Sequence, residues 1–220
     1  MVYGNIGMFD KALECFMTSI NIFKQVLGED HPRLAIAYHN VGNTYRNLGI
    51  FEQALSYHNK ALNLRVKAFG MEHPEVAYSL DGLGRVYKDM EQYQIALNKF
   101  EGALEIKKKI YGEGHLALTE LYEEIGETLM EMEEYQKSID NYQASIDIYR
   151  NFNGSENVEI ANNEFFVACN YYYMGNYPVA LEYFEKAYSV LEKALGSDSE
   201  QCVVIKDNID AVKNKINSKK

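Results

Sequence analysis

The chain has 220 residues, a net charge of −10 and a pI of about 5.0, a balance that argues against nucleic acid or an anionic membrane as main partner. Hydrophobic residues make up 47 %, enough for a buried spine, and three prolines suit a helical protein. No apolar run approaches the roughly 20 residues that span a bilayer, no signal-peptide pattern opens the chain, and Cys15, Cys169 and Cys202 lack metal-type spacing, so reduced thiols and a cytoplasmic location are expected.

One step orders the rest. Glycine recurs every 42 residues at Gly28, Gly70, Gly112, Gly154 and Gly196. An aromatic column follows the same step at Phe9, Phe51, Tyr93, Tyr135 and Tyr177, as does a small-residue column at Ala12, Ala54, Ala96, Ser138 and Ala180. A period of this length means stacked copies of one supersecondary unit rather than a globule around a cleft.

At the start of the chain, Tyr3 falls in the column of Tyr45, so Met1 enters a first helix midway and a remnant ends before Met8. A second helix then carries Phe9, Leu13 and Phe16. This predicts a fragment of a longer array whose first unit frays first. Four full units follow at 36–77, 78–119, 120–161 and 162–203. In 78–119, Leu80, Leu83, Gly84 and Tyr87 form one helical stripe, and Tyr93, Ala96, Leu97, Phe100, Ala103 and Leu104 form a second. The break at 90–92, where other units carry Gly49 or Gly175, makes each unit a helix, a tight turn and a longer helix. Gly42, Gly84, Gly126 and Ala168 let the two helices approach, with Tyr45, Tyr87 and Tyr171 expected to fill the space beside them.

The Gly28 column closes each second helix at a left-handed position. His31, His73, His115, Asn157 and Ser199 then cap the next helix, which Pro32 and Pro74 open. A shared metal at the histidines is disfavoured, because successive units place them roughly 20 Å apart. Past 203, Ile205, Ile209, Val212 and Ile216 form one apolar stripe, so 204–220 reads as a capping helix near 200–217 and a basic tail.

FEQALSYHNKALNLRVKAFGMEHPEVA (51–77) and FDKALECFMTSINIFKQVLGEDHPRLA (9–35) resemble tetratricopeptide repeats of the long, 42-residue variety of kinesin light chain and nephrocystin-type proteins. The resemblance covers 1–203, weakening where Leu116, Val158 and Glu200 replace the proline. It implies an all-α, right-handed superhelical α-solenoid of helix-turn-helix repeats. It also implies a non-enzymatic scaffold or adaptor that binds an extended segment of a partner protein in a concave groove, cytoplasmic and cytoskeleton-associated. The rival readings are a docking or spacer part of a cytoskeletal or ciliary assembly, and a regulatory array within a larger multidomain protein. No cofactor is implied.

In that family the groove is lined by the first-helix stripe corresponding here to 36, 39, 40, 43, 46 and 47. His39, Asn40, Asn43 and Arg46 stand there in the first full unit, Arg85 and Lys88 in the second, Glu120, Glu123, Glu124 and Glu127 in the third, and Phe165 and Tyr172 in the fourth. The face passes from amides and cations through glutamates to aromatics. Like charges at i and i+4 repel, so a basic partner segment is expected at the third unit. For Phe165 and Tyr172 the competing reading is packing against the tail helix. Glu123, Glu124 and Glu127 have no companion basic or nucleophilic set, so catalysis is not expected.

Overall fold

The computed structural model describes residues 2–154 and 157–218, with side chains from Met8 onward except Asn153. All regular structure among them is helical, and the chain forms two compact units, Met1–Ile110 and Tyr111–Lys220. The first holds α1 (Val2–Leu27), α2 (Arg33–Asn47), α3 (Phe51–Phe69), α4 (Pro74–Asp89) and α5 (Tyr93–Tyr111). The second holds a single 3-10 turn (Leu116–Leu118), α6 (Thr119–Glu131), α7 (Tyr135–Asn153), α8 (Val158–Tyr173), α9 (Tyr177–Leu195) and α10 (Glu200–Asn217). No helix among the described residues is long and apolar enough to cross a membrane.

The helix ends follow the periodic columns. Gly28, Gly70, Gly112, Gly154 and Gly196 all have φ between 80° and 87°, the left-handed region that a residue without a Cβ enters cheaply. The next residues that matter are caps. The imidazole Nδ1 of His31, His73 and His115 accepts the backbone N–H two residues on, at 3.1–3.2 Å. Asn157 Oδ1 and Ser199 Oγ do the same work for α8 and α10, satisfying donors that a helix start otherwise leaves open. Phe69 stacks on His73 with centroids 4.4 Å apart, and Tyr111 stacks on His115 at 4.9 Å. Each of these joints therefore ties the end of one helix to the cap of the next.

Within each pair the tight turn repeats one hydrogen-bond pattern: the N–H of Ile50, Gln92, Glu134 and Asn176 reaches the carbonyl five residues back at 2.9 Å. The pattern needs a left-handed residue just before it. Gly49 and Gly175 supply it, but Glu91 (φ 59°) and Glu133 (φ 61°) are forced into it.

The packing of first on second helix differs from the sequence reading. A Cβ built on Gly42 would lie 2.8 Å from the His58 ring, on Gly84 2.5 Å from Phe100, and on Gly126 2.9 Å from Tyr142. The knob in each notch comes from the second helix; Tyr45 instead stacks on Tyr57, and Tyr171 on Tyr183. An aromatic three residues along the same helix points away from the notch its glycine opens toward the partner. Phe100, Tyr142 and Phe184 are buried to within 2 % of full cover, each worth about 1.5–3 kcal/mol by transfer.

The start of the chain also differs. Val2–Leu27 is one continuous helix, with no separate remnant ending before Met8. A break there would isolate fewer than two turns, too short to repay nucleation, whereas continuing the helix adds a hydrogen bond per residue. The side chain of Tyr3 and the basic tail residues Lys219 and Lys220 lie outside the described residues. At the other end α10 covers the last pair through Cys202, Ile205, Ile209 and Val212, all buried.

Candidate functional site: the stripe on the first helices

In the first unit, α2 and α4 present the stripe. His39 is only 3 % exposed, wedged edge-on against His58 (4.9 Å) and against Tyr78 (4.2 Å). It therefore lies beneath the face it was expected to line. Asn43 Nδ2 sits 3.0 Å from His39 Nε2, and Arg46 Nε lies 3.4 Å from Asp89 of α4. Asn40, Asn43, Arg46, Arg85 and Lys88 are half-buried, with Arg85 donating to Asp81 one turn back at 3.1 Å. Asp81, in the same column as His39, is buried at 8 %. Within each compact unit the next first helix engages that column: Tyr78 of α4 lies on His39, and in the second unit Asn163 of α8 reaches Glu123.

Burial holds the imidazole of His39 far down, at about 3, with the neighbouring His58 and Arg65, Arg46 and Arg85 adding to it. Burial, then Arg46 and Arg65, holds His58 at about 4. Both rings are neutral at ordinary pH, and neither ring nitrogen of the fully buried His58 has a hydrogen-bond partner.

In the second unit, α6 and α8 present the stripe. Glu120 is exposed, and Glu124 and Glu127 are half-buried. Glu123 is committed inward: its carboxylate accepts from Ser145 Oγ of α7 at 2.9 Å and from Asn163 Nδ2 of α8 at 2.8 Å. It ties three helices together. Phe165 is half-buried and packs edge-on to Phe166 (5.4 Å) and against Phe184 (5.6 Å); Tyr172 lies against Tyr173 and Tyr177. Both pack against the buried cluster that holds Phe184 of α9 and Ile205, Ile209 and Val212 of α10.

Charge divides unequally. Residues 1–110 carry 13 Lys and Arg against 12 Asp and Glu, whereas 111–220 carry 9 against 20. The chain's negative charge therefore belongs to its second half.

Two buried charged groups, Arg65 and Glu164, lie apart from the stripe, and of these only Arg65 was not singled out from the sequence. Arg65, 1 % exposed, pairs with Glu75 at 2.9 Å, donates to Ser79 Oγ at 2.6 Å and lies over the Tyr78 ring. Its column otherwise reads Phe23, Lys107, Tyr149 and Leu191, and a cation in a largely apolar column was the available signal. Glu164, in the column of Tyr38, pairs with Lys186 at 3.6 Å. Lys60, in the column of Lys186, lies over the rings of Tyr38 and Tyr57. The same lysine position thus lies over the ring three residues before it in both units, Tyr57 and Tyr183, and reaches Tyr38 in one and a carboxylate in the other. Among the described residues no group of three or more His, Cys, Asp or Glu could hold a metal ion.

Comparison with protein families matches the tetratricopeptide repeat over residues 1–65, 37–109 and 116–193. A search of curated proteins finds no match. Among solved structures, the nearly identical TPR-like repeats of a provisionally assigned kinesin light chain from Podosopora anserina match with TM-score 0.74 and 21 % identity, over 87 % of this chain and 91 % of that one. BtubC (BKLC) from P. vanneervenii matches with TM-score 0.77 and 18 % identity, over 90 % and 78 %. The apo form of RapI matches with TM-score 0.73 and 21 % identity, over 90 % of this chain and 52 % of RapI.

Proposed function

Because the chain belongs to the tetratricopeptide repeat family, we propose that it is a non-enzymatic protein–protein interaction scaffold holding an extended segment of a partner along the first-helix stripes. One observation carries this reading. The notch and knob columns keep their residue class from unit to unit, small at Gly42, Gly84, Gly126 and Ala168 and ring-bearing at His58, Phe100, Tyr142 and Phe184, while the stripe changes class along the array. A stripe serving only to solvate the fold has no reason to pass from amides and cations to carboxylates to aromatics.

On this reading Asn40, Asn43, Arg46, Arg85 and Lys88 receive polar or acidic parts of a partner. Glu120, Glu124 and Glu127 receive a basic part, and Phe165 and Tyr172 an apolar one. His39 and Glu123 act beneath the stripe by fixing its neighbours. Charge of this kind sets specificity more than affinity. The fold shared with kinesin light chain repeats and with BtubC favours an adaptor working in the cytoplasm on cytoskeletal cargo or its carriers.

The test is a random peptide display on the intact chain, followed by affinities for Asn43→Ala with Lys88→Glu, for Glu120→Lys with Glu124→Lys, and for the exposed second-helix control Glu101→Lys. Selected peptides should lose affinity with the stripe variants, keep it with the control, and bind more weakly as salt rises. Peptides whose affinity follows only the control would place recognition on the second helices and refute the stripe.

A further inference from the structure

The end of α10 nearest α8 encloses a cleft of about 450 Å³ lined by Phe165 and Phe166 of α8, Leu191 of α9, and Val204 and Ile205 of α10, with Asn162, Glu200 and Gln201 also lining it. We infer that this cleft is a docking site for a partner segment that inserts one large apolar side chain flanked by lysine or arginine. The inference rests on the scaffold reading and names the ligand class of one of its subsites.

Three observations carry it. The first is register. Val204 stands in the column of Ile36, Tyr78, Glu120 and Asn162, so α10 repeats the first helix of a unit and continues the stripe onto what the sequence reading treated only as a cap. The positions of α10 that receive a second helix elsewhere, those of Tyr38, Gly42 and Tyr45, read Lys206, Asp210 and Lys213 and are exposed. Of the stripe positions on α10, Val204 in its first turns is apolar and 46 % exposed, whereas Asp207, Asn208, Asn214 and Lys215 beyond it are polar, so the large apolar part of the stripe is confined to the cleft.

The second is the build of the wall. Phe166 stacks on Tyr142 at 5.2 Å with its plane tilted by only 6°, and Phe165 is held edge-on between Phe166 and Phe184. Leu191 and Ile205 are buried at 1 % and 3 %. An apolar surface already fixed in place costs little ordering on binding, and a volume in the 300–1,000 Å³ range is what ligand sites offer.

The third is charge. No lysine or arginine lines the cleft, its one charged lining residue is Glu200, and it lies in the half with 20 acidic against 9 basic residues. An acidic segment entering here would meet like charge, whereas a basic one would be drawn in.

The experiment uses the intact chain and three synthetic peptides: Ac-GKKLFKKG-NH2, its charge-reversed form Ac-GEELFEEG-NH2, and Ac-GKKGGKKG-NH2, which lacks the apolar anchor. Binding is read by fluorescence polarisation and by amide chemical shifts, alongside the peptides selected from the display library. The first peptide should bind at least tenfold more tightly than either other. Its shifts should centre on residues 162–166 and 200–205. Val204→Arg, at an exposed position, should weaken it at least tenfold, and Glu200→Lys several-fold, with unchanged circular dichroism. Equal binding of the charge-reversed peptide, or insensitivity to both variants, overturns the inference. If library peptides bind but respond only to Asn43→Ala with Lys88→Glu, the cleft is refuted while the scaffold reading stands. If no library peptide binds, both fall. If Val204→Arg instead abolishes self-association of the chain, the occupant is a second copy and the inference is wrong.

Discussion

Placing a methyl on Gly84 asks whether the spacing of α4 and α5 is set by the absence of one carbon. The new Cβ would lie 2.5, 2.7 and 2.9 Å from three carbons of the buried Phe100 ring, whereas ordinary contact begins near 3.4 Å. The helices must part by most of an ångström, or the ring must leave its rotamer. Overpacking of this kind costs about 1–3 kcal/mol, and the gain in helix propensity from glycine to alanine returns about 1 kcal/mol. Gly84→Ala should therefore destabilise by up to about 2 kcal/mol net, short of that limit because Ala168 opposite Phe184 shows that another pair of this chain admits the methyl. Gly102→Ala is the matched control: it lies in α5, its nearest neighbour would be Leu80 Cδ1 at 3.6 Å, and the same substitution should stabilise by about 1 kcal/mol. Urea denaturation followed by circular dichroism measures both, and thermal midpoints should move in opposite directions by about 2–4 °C per kcal/mol. Adding Phe100→Leu to Gly84→Ala should cost less than the two separate losses combined. If Gly84→Ala and Gly102→Ala shift stability in the same direction, the notch reasoning is wrong.

Glu91→Gly and Glu133→Gly should each stabilise by about 0.5–1 kcal/mol, because both glutamates occupy left-handed backbone that Gly49 and Gly175 occupy without strain; urea midpoints check this. His39 and His58 titrate at about 3 and about 4 when folded, below the ordinary 6.5, so their stabilisation is full above pH 6.5 and is lost as pH falls toward those values. At pH 5 each should have given up about 2 kcal/mol, and His58→Leu should remove roughly half of that drop in urea midpoint between pH 7 and 5. Glu123→Ala should destabilise by about 1–3 kcal/mol through loss of the bonds from Ser145 and Asn163, with faster hydrogen exchange across α6 to α8. Hydrogen exchange in α1 should exceed that in α3, because Ile20 alone is buried among its described side chains whereas Ala54, His58, Ala61 and Arg65 are buried in α3.

The period, the left-handed glycines and the caps at His31, His73, His115, Asn157 and Ser199 were legible because each is decided within a few residues by backbone chemistry. The seam between neighbouring first helices was not. His39 and Glu123 share a column that helical periodicity puts on the open face, yet the next first helix of the same compact unit engages it, through Tyr78 on His39 and Asn163 on Glu123. Periodicity gives the angle of a side chain about its own helix but not the width of its neighbour's shadow. The knob in the glycine notch was missed for the same reason, since His58, Phe100 and Tyr142 reach it from another helix. The cleft beside Val204 needed both the column and the exposure: the sequence showed an apolar residue on a capping helix, and only its 46 % exposure separated a surface from a core.

The joints between units have a mechanical meaning. Where a second helix ends in Phe69 or Tyr111 the following cap is histidine, ring on ring; where the column reads Asn153 or Leu195 the cap is Asn157 or Ser199, which have no ring to stack. A stacked joint resists bending as well as stretching, while a joint closed by hydrogen bonds alone yields to a small change of angle. Stiffness is thus uneven along the chain, greatest at residues 69–73 and 111–115 and lower both at 27–31, where Leu27 offers no ring to His31, and beyond 153. Drawn by its two ends in an optical trap, the chain should give way first at α1 and in its last pairs, leaving α2 to α5 to bear load after α8 to α10 have let go.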